Sequence, residues 1–330
     1  MTLPAPTRTP RPRGARRPVA AGALAVVALL ASAPGASAGS AAPDAPPRGE
    51  PVVVDVISDV QGDLADLERV LDDQAALGLA DHLVVNGDLV PTGTQAEYDA
   101  YTGVLAAGPL PRRVTQTIGN HETYTGESSE VLTDRFLAET GMPAVYSVQR
   151  VKGHPLVHLG TTSTPAGGVS ATLGQEQLDW FDGVLDRLPA NRPVVVLSHH
   201  PLPRTVSGTD WPGSYEQEYA AGEADRLLEI IGDHPNVLFV TGHTHYDLRR
   251  DDWMVRKVVE GGDPRGFTAV NGGSVQTTWT RTPDGREVTV DRADHSGIRL
   301  EISRDRVRVV AHDFRTDEVV QDETVLVPRR

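Results

Sequence analysis

Residues 52–88 read VVVDVISDVQGDLADLERVLDDQAALGLADHLVVNGD, and this stretch decides the fold class. Val52 to Ile57 is a β-branched run broken only by Asp55, and it ends in Ser58-Asp59. Leu64, Leu67, Val70 and Leu71 then recur at helical spacing, with Asp66, Glu68 and Asp72 on the other face. His82 to Val85 is a second short apolar run, ending at Asn86-Gly87-Asp88. Strand alternating with amphipathic helix implies an α/β core.

The same alternation continues outward. A helical stretch is expected around Ala96 to Leu105, then a third strand, Arg113 to Ile118, that ends at Gly119-Asn120-His121-Glu122. Helical candidates lie at Gly174 to Leu188 and Glu216 to Ile231. Between and after them, Val194 to Leu197 leads into His199, and Val237 to Val240 leads into Gly242-His243-Thr244-His245. Past Phe267 the pattern changes to strands with little helix: Thr268 to Val270, Glu287 to Val290, Ile298 to Ile302 and Val307 to Ala311. These are expected to form a mostly antiparallel flank. Asp59, Asp88, Asn120, His199 and His243 each follow the carboxyl end of an expected buried strand, the edge at which open α/β sheets bind ligands.

Composition narrows the classes. The chain has 330 residues, 39% hydrophobic and 23% charged, which excludes a disordered chain and a polytopic membrane protein. It has no cysteine, so disulfides, thiolate metal sites and cysteine nucleophiles are excluded. Lys+Arg number 31 against 45 Asp+Glu, a formal charge of −14. That balance argues against broad binding to duplex nucleic acid, but not against a small phosphorylated substrate whose charge is met by a metal. Arg8, Arg11, Arg13, Arg16 and Arg17 precede an apolar run, Val19 to Ala33, and then Ala36-Ser37-Ala38. Basic, apolar, A-x-A is the pattern of a secretory signal peptide over residues 1–38, with mature protein starting near Gly39. The 15-residue run is short of the roughly 20 residues of a spanning helix, so no stable membrane anchor is expected after cleavage. Arg16-Arg17 leaves twin-arginine export open. Residues 39–51 read as a disordered leader rich in Ala, Gly, Ser and Pro, and residues 52–330 as the folded domain of an exported, extracellular protein.

The strand-end residues form a coherent donor set. Asp59 and Asp88 supply carboxylates, Asn120 an amide oxygen, and His199, His243 and His245 imidazole nitrogens. Oxygen and nitrogen donors without sulfur suit Mn, Fe, Zn, Co or Ni. Six donors exceed the four of a structural zinc site and suffice for two divalent ions sharing one carboxylate.

Asp59-Val60-Gln61, Gly87-Asp88, Gly119-Asn120-His121-Glu122, Ser198-His199-His200-Pro201 and Gly242-His243-Thr244-His245 together resemble the five-block signature of calcineurin-like metallophosphoesterases, in the family's order. Leu173 to Trp180 resembles the segment that often precedes the fourth block. The resemblance implies a four-layer α/β/β/α sandwich with its active site at the strand carboxyl ends. It further implies hydrolysis of a phosphodiester or phosphomonoester by a metal-bridging hydroxide. Asp88 would bridge the ions, Asp59 and His245 would hold the first, and Asn120, His199 and His243 the second. Gln61 stands where the family usually has histidine, as a weaker neutral donor. His121 would assist the leaving oxygen as proton donor or charge stabiliser, and His200 would line the substrate cleft. Pro91 stands where the second block often carries Asp, or Tyr in purple acid phosphatases, which sets that subgroup aside.

Rival readings remain. Gln61 motivates a degenerate member that binds metal or ligand without turnover. A cell-surface or matrix-binding role would need an added module, and none is visible. His82, His154, His158, His234, His295 and His312 lie outside any motif and read as structural. The stretches from Ser198 to Glu216 and Asp247 to Gly266 are the expected determinants of specificity.

Overall fold

The computed structural model describes residues 49–164, 168–211, 215–290 and 295–327; the expected signal peptide and most of the expected leader lie outside the described residues. Among them, β1 (Val52–Ile57), β2 (His82–Asn86) and β3 (Val114–Thr117) run parallel, with α1 (Leu64–Ala76) and α2 (Gln95–Ala107) as the intervening helices. A further helix, α3 (Ser129–Thr140), leads to the antiparallel pair β4 (Ser147–Val151) and β5 (His154–Leu159). Then come α4 (Gln175–Arg187), β6 (Val194–Ser198), α5 (Glu223–Gly232) and β7 (Val237–Thr241). The remainder is strand: β8 (Met254–Lys257), β9 (Phe267–Asn271), the hairpin β10 (Trp279–Arg281) and β11 (Glu287–Thr289), β12 (Ser296–Ile302), β13 (Arg306–Asp313) and β14 (Glu318–Leu326).

Two six-stranded sheets result, ordered β14-β13-β12-β1-β2-β3 and β4-β5-β6-β7-β9-β8. Strand alternation sends successive side chains to opposite faces. Val195, Leu197, Leu238 and Val240 meet Val52, Val54, Val56 and Leu300 in a layer between the sheets. Val194, Val196, Val237 and Phe239 turn the other way, onto Phe181 of α4 and Leu227 and Ile231 of α5. On the far side, Ile57, Leu83 and Val85 pack on Leu67, Val70 and Leu71 of α1 and on Tyr98 and Tyr101 of α2. Three apolar interlayers between four layers give the α/β/β/α sandwich. Each fully buried aliphatic side chain contributes about 1.5–3 kcal/mol.

Asp55, the polar interruption of β1, is buried and held by Arg299 of β12 at 2.7 and 2.9 Å. The same guanidinium donates to the carbonyls of Gln74, Leu77 and Gly78, so it also closes the carboxyl end of α1. At α2, Thr94 and Glu97 form a reciprocal capping box.

Several expectations need correcting. Thr268 to Val270 belongs to β9, which runs parallel to β7 in the second sheet and is not part of an antiparallel flank. That flank consists of β12 to β14 beside β1, and the expected strand at Glu287 to Val290 forms β11 of the separate β10–β11 hairpin instead. The expected helix from Glu216 begins only at Glu223, because Tyr215–Gln217 form a 3₁₀ turn and Gly222 enters the helix with φ +82°. The edge strands β4, β8 and β14 lack a clear buried face, so their sequences show no alternation.

Candidate metal centre

All five expected strand-end blocks meet at one rim. β1 delivers Asp59 and Gln61, β2 delivers Asp88, β3 delivers Asn120 and His121, β6 delivers His199 and His200, and β7 delivers His243 and His245. The turns are tight enough that Asp59, Gln61, Asp88, His243 and His245 have φ between 45° and 70°. These are five of the eight non-glycine residues with positive φ among the described residues. Such conformations cost on the order of 1–3 kcal/mol each and concentrate where side chains are aimed for function.

The aim is convergent. Asp88 Oδ2 lies 3.1 Å from His199 Nε2, and Asp59 Oδ1 lies 3.1 Å from His245 Nε2 and 3.7 Å from His199 Nε2. Ligand atoms of Asp88, His199 and His243 all lie within 4.8 Å of one another. Backbone amides set the carboxylates: His243 N donates to both oxygens of Asp59 at 3.2 and 3.0 Å, and His121 N donates to Asp88 Oδ1 at 3.0 Å. Two donors bound to one ion at about 2.1 Å stand about 3–3.5 Å apart, so these separations fit shared ions. Asn120 Oδ1 and His199 Nε2 are buried without a hydrogen-bond partner. Groups of that kind carry a desolvation cost unless something outside the protein satisfies them. The residues fit divalent metal.

The remaining expected residues sit close by. Gln61 Nε2 is 3.1 Å from Asp88 Oδ2 and 3.1 Å from His245 Nε2. In this orientation its amide donates across the first site, and ligation through oxygen requires the amide to turn over. His121 Nδ1 donates to the Pro91 carbonyl at 2.8 Å, which leaves Nε2 3.8 Å from Asp88 Oδ2 on a partly exposed ring. His200 is buried with Nε2 on the Val169 carbonyl at 2.8 Å, its ring packed against those of His199 and His243 and close to Tyr219. It backs the donor histidines.

Electrostatics follow from the packing. Burial alone would raise Asp88, but His199, His121 and His243 outweigh it and hold the carboxyl well below its usual range. Asp59 is likewise lowered, burial being outweighed by His245 and His199. Burial would lower His199, yet Asp88 and Asp59 lift it to about 10.

Several groups beyond the expected donors contribute. Glu122, quoted only as part of its block, is fully buried and accepts the backbone N–H groups of Asp88, Leu89, Val90 and Gly119. Burial and the Asp88 charge push it up to about 8. Asn86 ties the ends of three strands by donating to the Ser198 and Val240 carbonyls, and its own carbonyl accepts from His199 Nδ1 at 2.9 Å. Tyr124 stands beside His121 and takes the Asn120 amide on its hydroxyl at 2.5 Å. Glu218 brings a buried carboxylate to 3.5 Å from His243 Nε2. Asn86 and Glu122 adjoin the strand-end motifs, a usable signal; Glu218 lies in a loop with no motif.

A probable glycerophosphodiester phosphodiesterase of Arcobacter nitrofigilis is 22% identical over 166 residues, 50% of this chain and 56% of that protein. A 3',5'-cyclic adenosine monophosphate phosphodiesterase of Escherichia coli is 25% identical over 180 residues, 54% of this chain and 59% of that protein. The chain thus spans under two thirds of the length of these relatives. Among solved structures, purple acid phosphatase PPD1 of yellow lupin superposes with a TM-score of 0.60 at 13% identity, covering 83% of this chain and 53% of that one. GAP50, described as the anchor in the inner membrane complex of Plasmodium, superposes at 0.50 with 12% identity, covering 85% and 90%. Residues 248–327, which include the strands flanking β1, match a domain of unknown function, DUF4073. Residues 52–247 match calcineurin-like phosphoesterase. Because that match runs from the first strand past His245 and takes in more than half of the sequence, the chain belongs to the calcineurin-like phosphoesterase family.

Proposed function

We propose that this protein is an exported phosphodiesterase that works with two divalent metal ions. The observation that carries the reading is the donor set: two carboxylate–imidazole pairs at 3.1 Å, joined through the 3.7 Å approach of His199 to Asp59, with buried donor atoms left unsatisfied. Asp59 and His245 would hold one ion, Asn120, His199 and His243 the other, and Asp88 both. Such a pair supplies a nucleophilic water at neutral pH and neutralises charge on the phosphoryl group.

The chain's own groups do the rest. Asp88 is oriented by the His121 amide, and that amide's own ring is fixed by the Pro91 carbonyl. With Nδ1 donating to that carbonyl, a protonated His121 carries its mobile proton on Nε2, at the exposed edge of the site. That is the atom positioned to protonate a departing alkoxide. Among the described residues, none of the hydrogen bonds or ion pairs made by these side chains goes to Lys or Arg, and Glu218 adds negative charge. A diester carries one negative charge where a monoester carries two, so this balance favours the diester. The names of both curated relatives point the same way. The fold cannot carry this argument, since it is shared with a protein described as an anchor. The basic-apolar-AxA leader supports export, and amino-terminal mapping of protein from its natural host should find Gly39.

A panel of diesters and monoesters with matched leaving groups tests the activity. Diesters should turn over faster, and His121→Ala should slow a poor leaving group by about 10²–10⁴-fold while retaining both ions. A metal-loaded protein that hydrolyses neither class would favour the degenerate binder that Gln61 suggests.

A further inference from the structure

Each histidine of this centre except one has a ring nitrogen tied to a backbone carbonyl. His199 uses Nδ1 on Asn86 O at 2.9 Å, His245 uses Nδ1 on Thr277 O at 2.8 Å, and His121 uses Nδ1 on Pro91 O at 2.8 Å. His200 uses Nε2 on Val169 O at 2.8 Å. Such a bond places the proton on the tied nitrogen and leaves the other bare, which is how proteins choose the nitrogen a metal meets. His243 has no carbonyl of this kind among the described residues. The polar atom opposite its Nε2 is Glu218 Oε2, at 3.5 Å, and both atoms are buried with no hydrogen-bond partner.

Glu218 is held where it is by its neighbours. Its carbonyl accepts from Ala171 N at 2.8 Å, and Ala220 N donates to Ala171 O at 2.8 Å. Between these bonds, the Tyr219 hydroxyl reaches the His200 carbonyl at 2.7 Å and Ser198 Oγ at 3.0 Å. Glu218 does not belong to the group of Asp88, His199 and His243, whose ligand atoms lie within 4.8 Å of one another. It approaches His243 from the loop that precedes α5, with Oε2 toward Nε2.

We propose that Glu218 is the positioning residue of His243: its carboxylate accepts the Nε2–H and leaves Nδ1 as the nitrogen that binds the second metal ion. The inference rests on the two-metal reading above. It makes His243 the centre's one carboxylate-backed imidazole, a stronger donor than its carbonyl-backed neighbours. His199 and His243 would then offer opposite nitrogens, Nε2 and Nδ1, to the same ion.

The test uses the full chain, stripped with chelator and reloaded with Zn²⁺. In wild type carrying ¹⁵N-labelled histidine, NMR should find the His243 proton on Nε2 and the metal on Nδ1; the reverse assignment overturns the proposal without any variant being made. Competition against a chromophoric chelator should show Glu218→Ala weakening the second ion by about 10- to 100-fold and leaving the first unchanged. Glu218→Gln, which retains an acceptor, should lose less, and the melting temperature of each metal-free variant should match wild type. Wild-type affinity for both ions in Glu218→Ala overturns the inference alone. Failure of wild type to bind any ion overturns the hydrolase reading together with it.

Discussion

A methyl group added at Gly242 should disable one metal position without removing a ligand. Gly242 lies between β7 and His243, against the turn that carries Asp59. A Cβ there would stand 1.9 Å from Ser58 Oγ and 2.6 Å from Asp59 Oδ2, where ordinary contact begins at 3.4 Å. Asp59 must therefore give way by about 0.8 Å, the difference between 3.4 and 2.6 Å, and Ser58 by more. Metal–ligand distances tolerate about 0.2 Å, so Asp59 would cease to be an effective ligand. Gly242→Ala should cost about 1–3 kcal/mol of stability through overpacking and weaken the first ion by about 100-fold or more. At Gly119 the added carbon would meet Asp88 Oδ1 at 2.2 Å and His199 Cδ2 at 2.8 Å, so Gly119→Ala should weaken both ions. Gly103, exposed in α2 with nothing within 4 Å, is the control; alanine there should leave the metals alone and add up to about 1 kcal/mol of stability. Metal per chain after dialysis, read by atomic emission beside melting temperatures, checks all three. Two ions retained at wild-type affinity in Gly242→Ala would refute the placement of Asp59.

Asp88→Ala should lose both ions and nearly all turnover, because Asp88 alone is assigned to both; metal analysis showing one ion at full affinity would contradict this. Gln61→His should tighten the first ion and shift preference from Mn toward Zn, since imidazole is the better donor for zinc, and Gln61→Ala should lower occupancy of that site only. Unchanged Mn and Zn titrations in Gln61→His would make Gln61 a hydrogen-bond donor rather than a ligand position. His82, far from the centre, is pushed down to about 4 by burial and by Arg113. Its unfolded value is about 6.5, so the unfolded chain takes up the proton first and stability is lost as pH falls below 6.5. His82→Gln can keep a donor toward Thr115 Oγ1, which stands 2.7 Å from His82 Nε2, and should spare about 2 kcal/mol of the loss between pH 6.5 and 5. Urea midpoints that fall equally in wild type and variant would count against it.

How far the sequence reveals this molecule depends on burial. β1, β2, β6 and β7 are largely buried and read as short apolar runs, interrupted in β1 only by Asp55, so they and the polar residues at their ends are legible. β14, written EVVQDETVL, is a largely exposed edge, and β5 contains Pro155 and two histidines, so neither shows a strand pattern. β9 is visible as a strand, but its parallel place beside β7 depends on long-range pairing. In the centre, the residues that converge are written into the five motifs. Positive φ at Asp59, Asp88, His243 and His245 is not, because no glycine marks those positions. Glu218 is silent for a different reason: it approaches His243 from a loop outside every motif.

The central claim is that the strand-end donors hold two divalent ions and that hydrolysis depends on both. Its most direct test is titration of chelator-stripped protein with Mn²⁺, following bound metal by electron paramagnetic resonance and hydrolysis of bis(4-nitrophenyl) phosphate in the same samples. Two equivalents should bind, with hydrolysis rising as the second site fills. Full hydrolysis by the metal-free protein, or saturation at one equivalent with full activity, would contradict the account.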